Sequence, residues 1–372
     1  MTAPVRPRNG YHHASETDEA TMVKRVCVIP GDDAAPEAVG PTLRVLQAME
    51  PTIEFTELPC GEDGTAEHGD RWSAVCREAI DATDTTLFGS SSGLTPAIGY
   101  LRYGKDTYAN VRPTRYLPGA KSPLRDPQGI DFVIVRENTE DVYTGVEGDL
   151  SLLVPLGLTG RRDNPLPTAG GQFAIKVITE HGTRRIVEFA FRLAQQRKEQ
   201  GHIGRVTSAC KWNVLPRTDG LFRDIAADVA RDYPEIEYVN YLADDFARRI
   251  VATPLEIDVA VLPNLYGDIL SDEAAALVGG LGLAPSACYG DDFAYFEPVH
   301  GTAPDIAGTN SINPTATLLS AAMMLDHLDL PDAGRRLVAA VEAIYEDGRV
   351  LTPDQGGSAT SEQFCDAVIA RL

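Results

Sequence analysis

Short apolar runs alternate with longer stretches of helical spacing along most of the chain, which predicts alternating strands and helices. Residues 23–29 are rich in β-branched side chains and stop at Pro30-Gly31, so they predict a buried first strand. Pro36 suits the first turn of a helix, and Val39, Leu43, Val45 and Leu46 give residues 38–49 one apolar face. Further strands are predicted at residues 53–58, 85–88, 130–136, 205–208, 236–242 and 257–262. Helices are predicted at 72–80, 180–199, 220–232, 315–328 and 334–346, with two more starting near Ala243 and Asn264. Residues 148–172 are rich in Gly, Pro and Leu without a period and predict an irregular arm or hairpin. This alternation defines an α/β protein with a largely parallel sheet. In such folds ligands sit beyond the C-terminal ends of strands, and Arg136, Lys211, Asp244 and Asp268 all fall at or just after such ends.

Composition narrows the function. The 372 residues suffice for roughly two to three domains of about 150 residues each, and 43% hydrophobic content excludes a disordered chain. A formal net charge of -21 opposes binding to nucleic acid or an anionic membrane. The six cysteines are scattered, with no Cys-x-x-Cys pair, which predicts packed thiols in a cytoplasmic protein. No apolar run approaches the roughly 20 residues that a membrane span needs. Residues 1–22 are polar, include His12 and His13, and predict a flexible N-terminal extension.

The candidate chemistry is acidic and basic, not nucleophilic. The chain has no G-x-G-x-x-G and no Walker loop, and its Gly-x-Ser-x-Gly string, Gly89-Ser-Ser-Ser-Gly93, is read as the loop that ends a short predicted strand. Asp268 and Asp272 are four residues apart at a predicted helix start, so they share one face and can point at one hard cation; a solvated acidic helix start is the plainer reading. With Asp244 they offer only oxygen ligands, which suits Mg²⁺ or Mn²⁺ better than zinc. Arg102, Arg112 and Arg136 are of the type that holds carboxylates bidentately. Tyr143 and Lys211 are candidate proton carriers. Together these groups point to a small polycarboxylate chelated by a metal.

Five segments carry a family resemblance: Tyr108-Ala-Asn-Val-Arg-Pro113, Val135-Arg-Glu-Asn-Thr-Glu-Asp-Val-Tyr143, Asn264-Leu-Tyr-Gly-Asp-Ile-Leu-Ser-Asp272, Glu297-Pro-Val-His-Gly-Thr-Ala-Pro-Asp305 and Leu351-Thr-Pro-Asp-Gln-Gly-Gly357. In this order they resemble the β-decarboxylating dehydrogenases of isocitrate, homoisocitrate and 3-isopropylmalate, and the segment from Arg136 to Glu147 looks closest to the isocitrate enzymes. The resemblance implies a two-domain α/β fold with a mostly parallel sheet that is not a standard Rossmann fold. Residues 23–107 and 279–372 would form the large cofactor-binding domain, 108–140 and 184–278 the small domain, and 141–183 an arm clasping a partner. It implies that Arg102, Arg112 and Arg136 bind the malate carboxylates, that Tyr143 and Lys211 transfer protons, and that Asp244, Asp268 and Asp272 surround the metal. Lys211 and Asp244 would come from the neighbouring subunit of a homodimer. The cofactor loop would be residues 297–313, with Glu297, His300, Gly301, Ala303, Asp305, Ile306 and Asn313. Asp305-Ile306 stands where NADP enzymes carry Lys-Tyr, and a carboxylate suits the free ribose hydroxyls of NAD.

Two departures bear on function. The usual Gly-Asp-Gly-Ile-Gly after the first strand is Gly31-Asp32-Asp33-Ala34-Ala35 here, which predicts a reshaped loop near the cofactor. The positions that meet a γ-carboxylate in isocitrate enzymes are Pro96 and Ile98, while Gly99 falls near the arginine of homoisocitrate enzymes. Ser91 and Thr95, with Ser90, Ser92 and Tyr100, remain as hydrogen-bond donors for the substrate. Isocitrate or a close analogue is the favoured substrate, ahead of homoisocitrate, 3-phosphonomethylmalate, 3-isopropylmalate or tartrate. A non-catalytic regulatory subunit is the alternative from another class, and the presence of the whole residue set argues against it.

Overall fold

The computed structural model describes residues 23–166 and 170–372. The extension expected over residues 1–22 lies outside the described residues. Strands run in the order β1 (Arg25–Ile29), β2 (Glu54–Glu57), β3 (Thr85–Phe88), β4 (Ala109–Arg115), β5 (Asp131–Glu137), β6 (Glu147–Asp149), β7 (Gln172–Ala174), β8 (Arg205–Cys210), β9 (Glu237–Leu242), β10 (Val259–Leu262), β11 (Pro285–Tyr289) and β12 (Ala294–Pro298). The helices are α1 (Pro36–Met49), α2 (Gly61–His68), α3 (Trp72–Asp81), α4 (Glu180–Glu199), α5 (Thr218–Val229), α6 (Ala243–Ala252), α7 (Asn264–Leu277), α8 (Thr315–His327), α9 (Pro331–Asp347) and α10 (Ser361–Ile369).

Ten strands form one sheet in the order β2-β1-β3-β12-β11-β4-β5-β10-β8-β9. Strands from the two ends of the chain make one half, and strands from its middle make the other. Both outer halves are parallel, while β12-β11-β4-β5 is an antiparallel ladder at the seam. The apolar runs are buried on both faces, as parallel strands require: β3 and β10 are buried throughout. Helix α8 covers β11 and β12, α4 covers β5 and β10, and α7 lies on β5. The arm is a small hairpin in which β6 pairs with β7, with helical turns between them.

Some elements carry no periodic signal. Helix α2, a polar stretch of Gly, Glu and Asp, is a glycine-bearing helix pressed against its neighbours. A methyl group on Gly64 would come within 2.4 Å of the Trp72 ring, and one on Gly61 within 2.1 Å of Asp32 Oδ1. In β4 the apolar pattern is broken by Arg112 and Pro113. The strand forms because β5 pairs along its whole length, and Pro113 lies past the ladder with β11, which ends at Val111.

Candidate active site

Register at the seam gathers the arginines. Asn110 on β4 faces Arg136 on β5, and Arg112 lies two residues further along the same face. Helix α7 then brings its carboxylates down onto that face. This requires Gly267, because a methyl group there would lie 2.7 Å from both Cβ and Cγ of Arg136. The result is a charge cluster centred on Asp268. Its Oδ1 accepts from Arg136 Nη1, and from Arg112 Nη1 at 3.3 Å. Its Oδ2 accepts from the Tyr143 hydroxyl at 2.6 Å. Arg112 Nη1 also lies 3.6 Å from Asp272 Oδ1 and donates to Ser271 at 2.7 Å. Arg136 is 2% exposed and is fixed from behind by Asn264, whose Oδ1 accepts from its Nε at 2.9 Å.

This environment drives the two carboxylates apart. Burial raises Asp268, but Arg136, the Tyr143 hydrogen bond and Arg112 outweigh it and hold the group below the usual carboxylate range. Burial dominates at Asp272, which lies above that range despite Arg112. Burial and the bond to Asp268 raise the Tyr143 phenol, against the pull of Arg136. Arg102 differs from its companions. Among the described residues it has no ion-pair partner, its Nε is buried without a hydrogen bond, and it stacks 5.8 Å from the Tyr143 ring. With Arg112 it lines a cleft of about 190 Å³ that Ser91, Ile98, Glu297 and His300 also line.

Lys211 and Asp244 form a separate pair, with Lys211 Nζ donating to Asp244 Oδ1. Neither makes a hydrogen bond or ion pair to Tyr143, Asp268 or Asp272 among the described residues. No group of three metal-binding side chains forms within the described residues of one chain. The pair Asp268–Asp272 does fit a hard cation: both carboxylates converge on a single cationic atom, Arg112 Nη1, and every donor is oxygen.

The loop after β3 is organised by Asp32, which sequence reasoning passed over. Its carboxylate accepts from Ser91 Oγ at 2.8 Å, the Ser92 amide at 2.7 Å, the Leu94 amide at 3.1 Å and Thr95 Oγ1 at 2.5 Å. Burial alone would raise Asp32, but the bonds from Thr95, Ser91 and Ser92 hold it below the usual range. Ser91 and Thr95, expected to meet substrate, thus point at Asp32, and Ser90 Oγ donates to the His300 carbonyl at 2.5 Å. The lost glycines are accommodated. Asp33 takes φ +54° itself, and Ala35, with φ −58° and ψ −39°, is an ordinary right-handed residue buried at the start of α1.

In the segment expected to hold the cofactor, Glu297 is half-buried, and desolvation raises its carboxyl although Arg102 and Arg112 oppose the shift. His300 Nδ1 lies 2.9 Å from the Gly301 carbonyl and Nε2 is buried without a partner. Ala303 adopts φ +50° before the turn Pro304–Ile306, where Asp305 is exposed. Asn313 is turned inward, donating to Asp354 at 2.9 Å and accepting from the Thr315 amide at 3.0 Å. Glu37 of α1 accepts from the Gly308 amide at 2.5 Å and from the Asn310 amide.

Arginines from two neighbouring strands thus meet the carboxylates of one helix beside a cleft. The family described as isocitrate/isopropylmalate dehydrogenase matches residues 25–368, and the chain belongs to that family. A 3-isopropylmalate/3-methylmalate dehydrogenase of Methanocaldococcus jannaschii is 42% identical over 94% of this chain and 98% of its own length. An isocitrate/homoisocitrate dehydrogenase of Thermus thermophilus is likewise 42% identical, over 94% of this chain and 99% of its own. The crystal structure of isocitrate dehydrogenase from Methylococcus capsulatus superposes with a TM-score of 0.79 at 34% identity, covering 94% of this chain and 99% of that one.

Proposed function

We propose that the chain oxidatively decarboxylates a 3-substituted malate with hydride transfer to NAD. The observation that carries this reading is the unpaired Arg102 and half-shared Arg112 facing a cleft beside the Asp268–Asp272 pair. Arg102, Arg112 and Arg136 bind the two malate carboxylates. Asp268 and Asp272, with Asp244 of the partner subunit, would hold Mg²⁺ or Mn²⁺. When bound, such an ion acts as a Lewis acid on the substrate's C2 oxygen. Lys211 takes the hydroxyl proton as hydride leaves C2 for the nicotinamide, the 3-carboxylate departs as CO₂, and Tyr143 returns a proton to C3. Asp305 accepts from the ribose hydroxyls and repels a 2′-phosphate. In this reading the half of the sheet built from the chain ends carries the cofactor, the other half carries the arginine–aspartate seam, and the arm joins a second copy.

The 3-substituent is compact and uncharged. The apolar part of the cleft wall is Phe88, Ile98, Pro298 and Val299, the hydroxyls of Ser90, Ser91 and Thr95 are engaged within the chain, and a methyl group at Gly99 would meet open space. Arg102 and Arg112, the arginines that line the cleft among the described residues, are both given to the malate carboxylates, which moves the reading from isocitrate toward a 3-alkylmalate such as the 3-methylmalate and 3-isopropylmalate named for the relative from M. jannaschii. NADH formation with Mn²⁺ across 3-methylmalate, 3-isopropylmalate, isocitrate and homoisocitrate tests this. We expect the highest kcat/KM for an alkylmalate. A preference for isocitrate would overturn the pocket assignment, and inactivity on all four would overturn the reaction.

A further inference from the structure

Lys176 lies just past β7, on the returning limb of the arm, and has no role in the chemistry above. Its ammonium is 3.3 Å from Asp141 Oδ2 and 2.9 Å from Asp219 Oδ1, and it sits 4.4 Å from the centre of the Tyr266 ring. Both carboxylates are fully buried, and among the described residues Lys176 is the cation paired with each. A buried carboxylate left without its cation is strongly unfavourable. Lys176 is therefore what permits two acidic groups to occupy the interior here.

Those two groups hold the backbone of three site segments. Asp219 Oδ2 accepts the Lys211 amide at 2.7 Å. Asp141 Oδ2 accepts the Leu265 amide at 3.2 Å, at the start of the helix that carries Asp268. Asp141 Oδ1 accepts the Val142 amide at 2.8 Å, opening the turn that carries Tyr143. Asp141 has φ +67° and ψ −145°, a conformation nearly confined to glycine. A non-glycine residue persists there only when its contacts over-determine it, and these contacts are what the carboxylate supplies.

We propose that Lys176 is a positioning residue whose single ammonium sets the Lys211 junction, the Tyr143 turn and the start of α7 relative to one another. The proposal rests on the roles given above to Tyr143 and Lys211. In that reading Tyr143 serves its own subunit's site and Lys211 the partner's, so Lys176 ties together the two sites of a dimer through the arm that joins them.

Amide exchange in the intact protein tests this without reference to turnover. In K176M, the segments containing Lys211 and Leu265 should exchange about tenfold faster, together, while the rest of the sheet is unchanged. D219N, a milder change, should loosen the Lys211 segment alone. Unchanged exchange at both segments in K176M, a rise spread evenly over the chain, or an unaffected Lys211 segment in D219N each overturns the proposal. With a substrate identified, and assayed well below a melting temperature that the two unpaired carboxylates lower, kcat of K176M should fall about 100-fold with KM within about threefold. A loss that merely tracks the melting temperature overturns it. An unsubstituted protein inactive on every malate, yet showing the predicted exchange, would overturn the functional reading and leave the positioning role standing.

Discussion

Asp268 is the residue on which the charges of the seam balance, and its position depends on the absence of a side chain next to it. Gly267 gives α7 its approach to β5, since a methyl group would overlap Arg136 at 2.7 Å. Gly267→Ala must push the helix away, at a cost of about 1–3 kcal/mol for an overpacked contact. It also carries Asp268 off Arg136. We expect kcat/KM to fall at least tenfold, with a melting temperature lowered by a few degrees; full activity in steady-state kinetics would show that α7 is not set by this contact. At this scale the sequence was informative where function imposes a spacing. Asp268 and Asp272 are legible because i and i+4 share a helix face. The glycine between the motif's tyrosine and aspartate reads as nothing until its neighbour across the sheet is known. Ser91 and Thr95 were legible as hydroxyls but not as partners of Asp32, because that partner lies about 60 residues away in the chain.

Among the elements, the proposed cofactor loop is held by a side chain from another helix. Glu37 accepts from the Gly308 and Asn310 amides, so its carboxylate does for the loop after Asp305 what Asp32 does for the loop after β3. Glu37→Ala should free that loop and raise KM for NAD roughly 5–20-fold, with kcat within about twofold, because the contact is remote from the reacting atoms. A changed kcat with unchanged KM would move Glu37 out of this role. A different element pair carries a pH dependence. Asp326 near the end of α8 faces Gly334 and Arg335 of α9 in a largely apolar pocket. Burial pushes its carboxyl up to about 7, with Arg335 opposing. As pH rises from about 4 to 7, the unfolded chain sheds this proton before the folded one does. The folded state is thus penalised increasingly across that window and fully above it. Asp326→Asn should raise the melting temperature by roughly 2–4 °C at pH 8 and by less than half of that at pH 5. An equal gain at both pH values would show that the carboxyl is not held neutral. Strands β11 and β12 and helix α2 escaped the sequence pattern for a common reason. They are short and carry glycine, proline or small residues, so their placement comes from neighbours and not from periodicity.

For the whole molecule, the open question is why Lys211 and Asp244 stand apart from Tyr143 and Asp268. A single chain places them as two pairs, Lys211 with Asp244 and Tyr143 with Asp268, and the proposed chemistry needs both. The surface offers a reason. Leu152, Val154, Leu156 and Leu158 of the arm and Ile269 of α7 are each more than half exposed, an apolar display that a lone soluble chain seldom carries. A second copy covering it would bring each Lys211–Asp244 pair to the other subunit's seam. Subunit mixing separates this from a site completed within one chain. Tyr143→Phe and Lys211→Met homodimers should each be nearly inactive. In a shared-site heterodimer, one site collects both defects and the other collects neither, so one site in two is intact. Random mixing yields about half heterodimers, and therefore about a quarter of the original activity returns. If each site were built within one chain, every site in the mixture would carry a defect and no activity would return. The recovered fraction, read against subunit ratio, decides between the two arrangements.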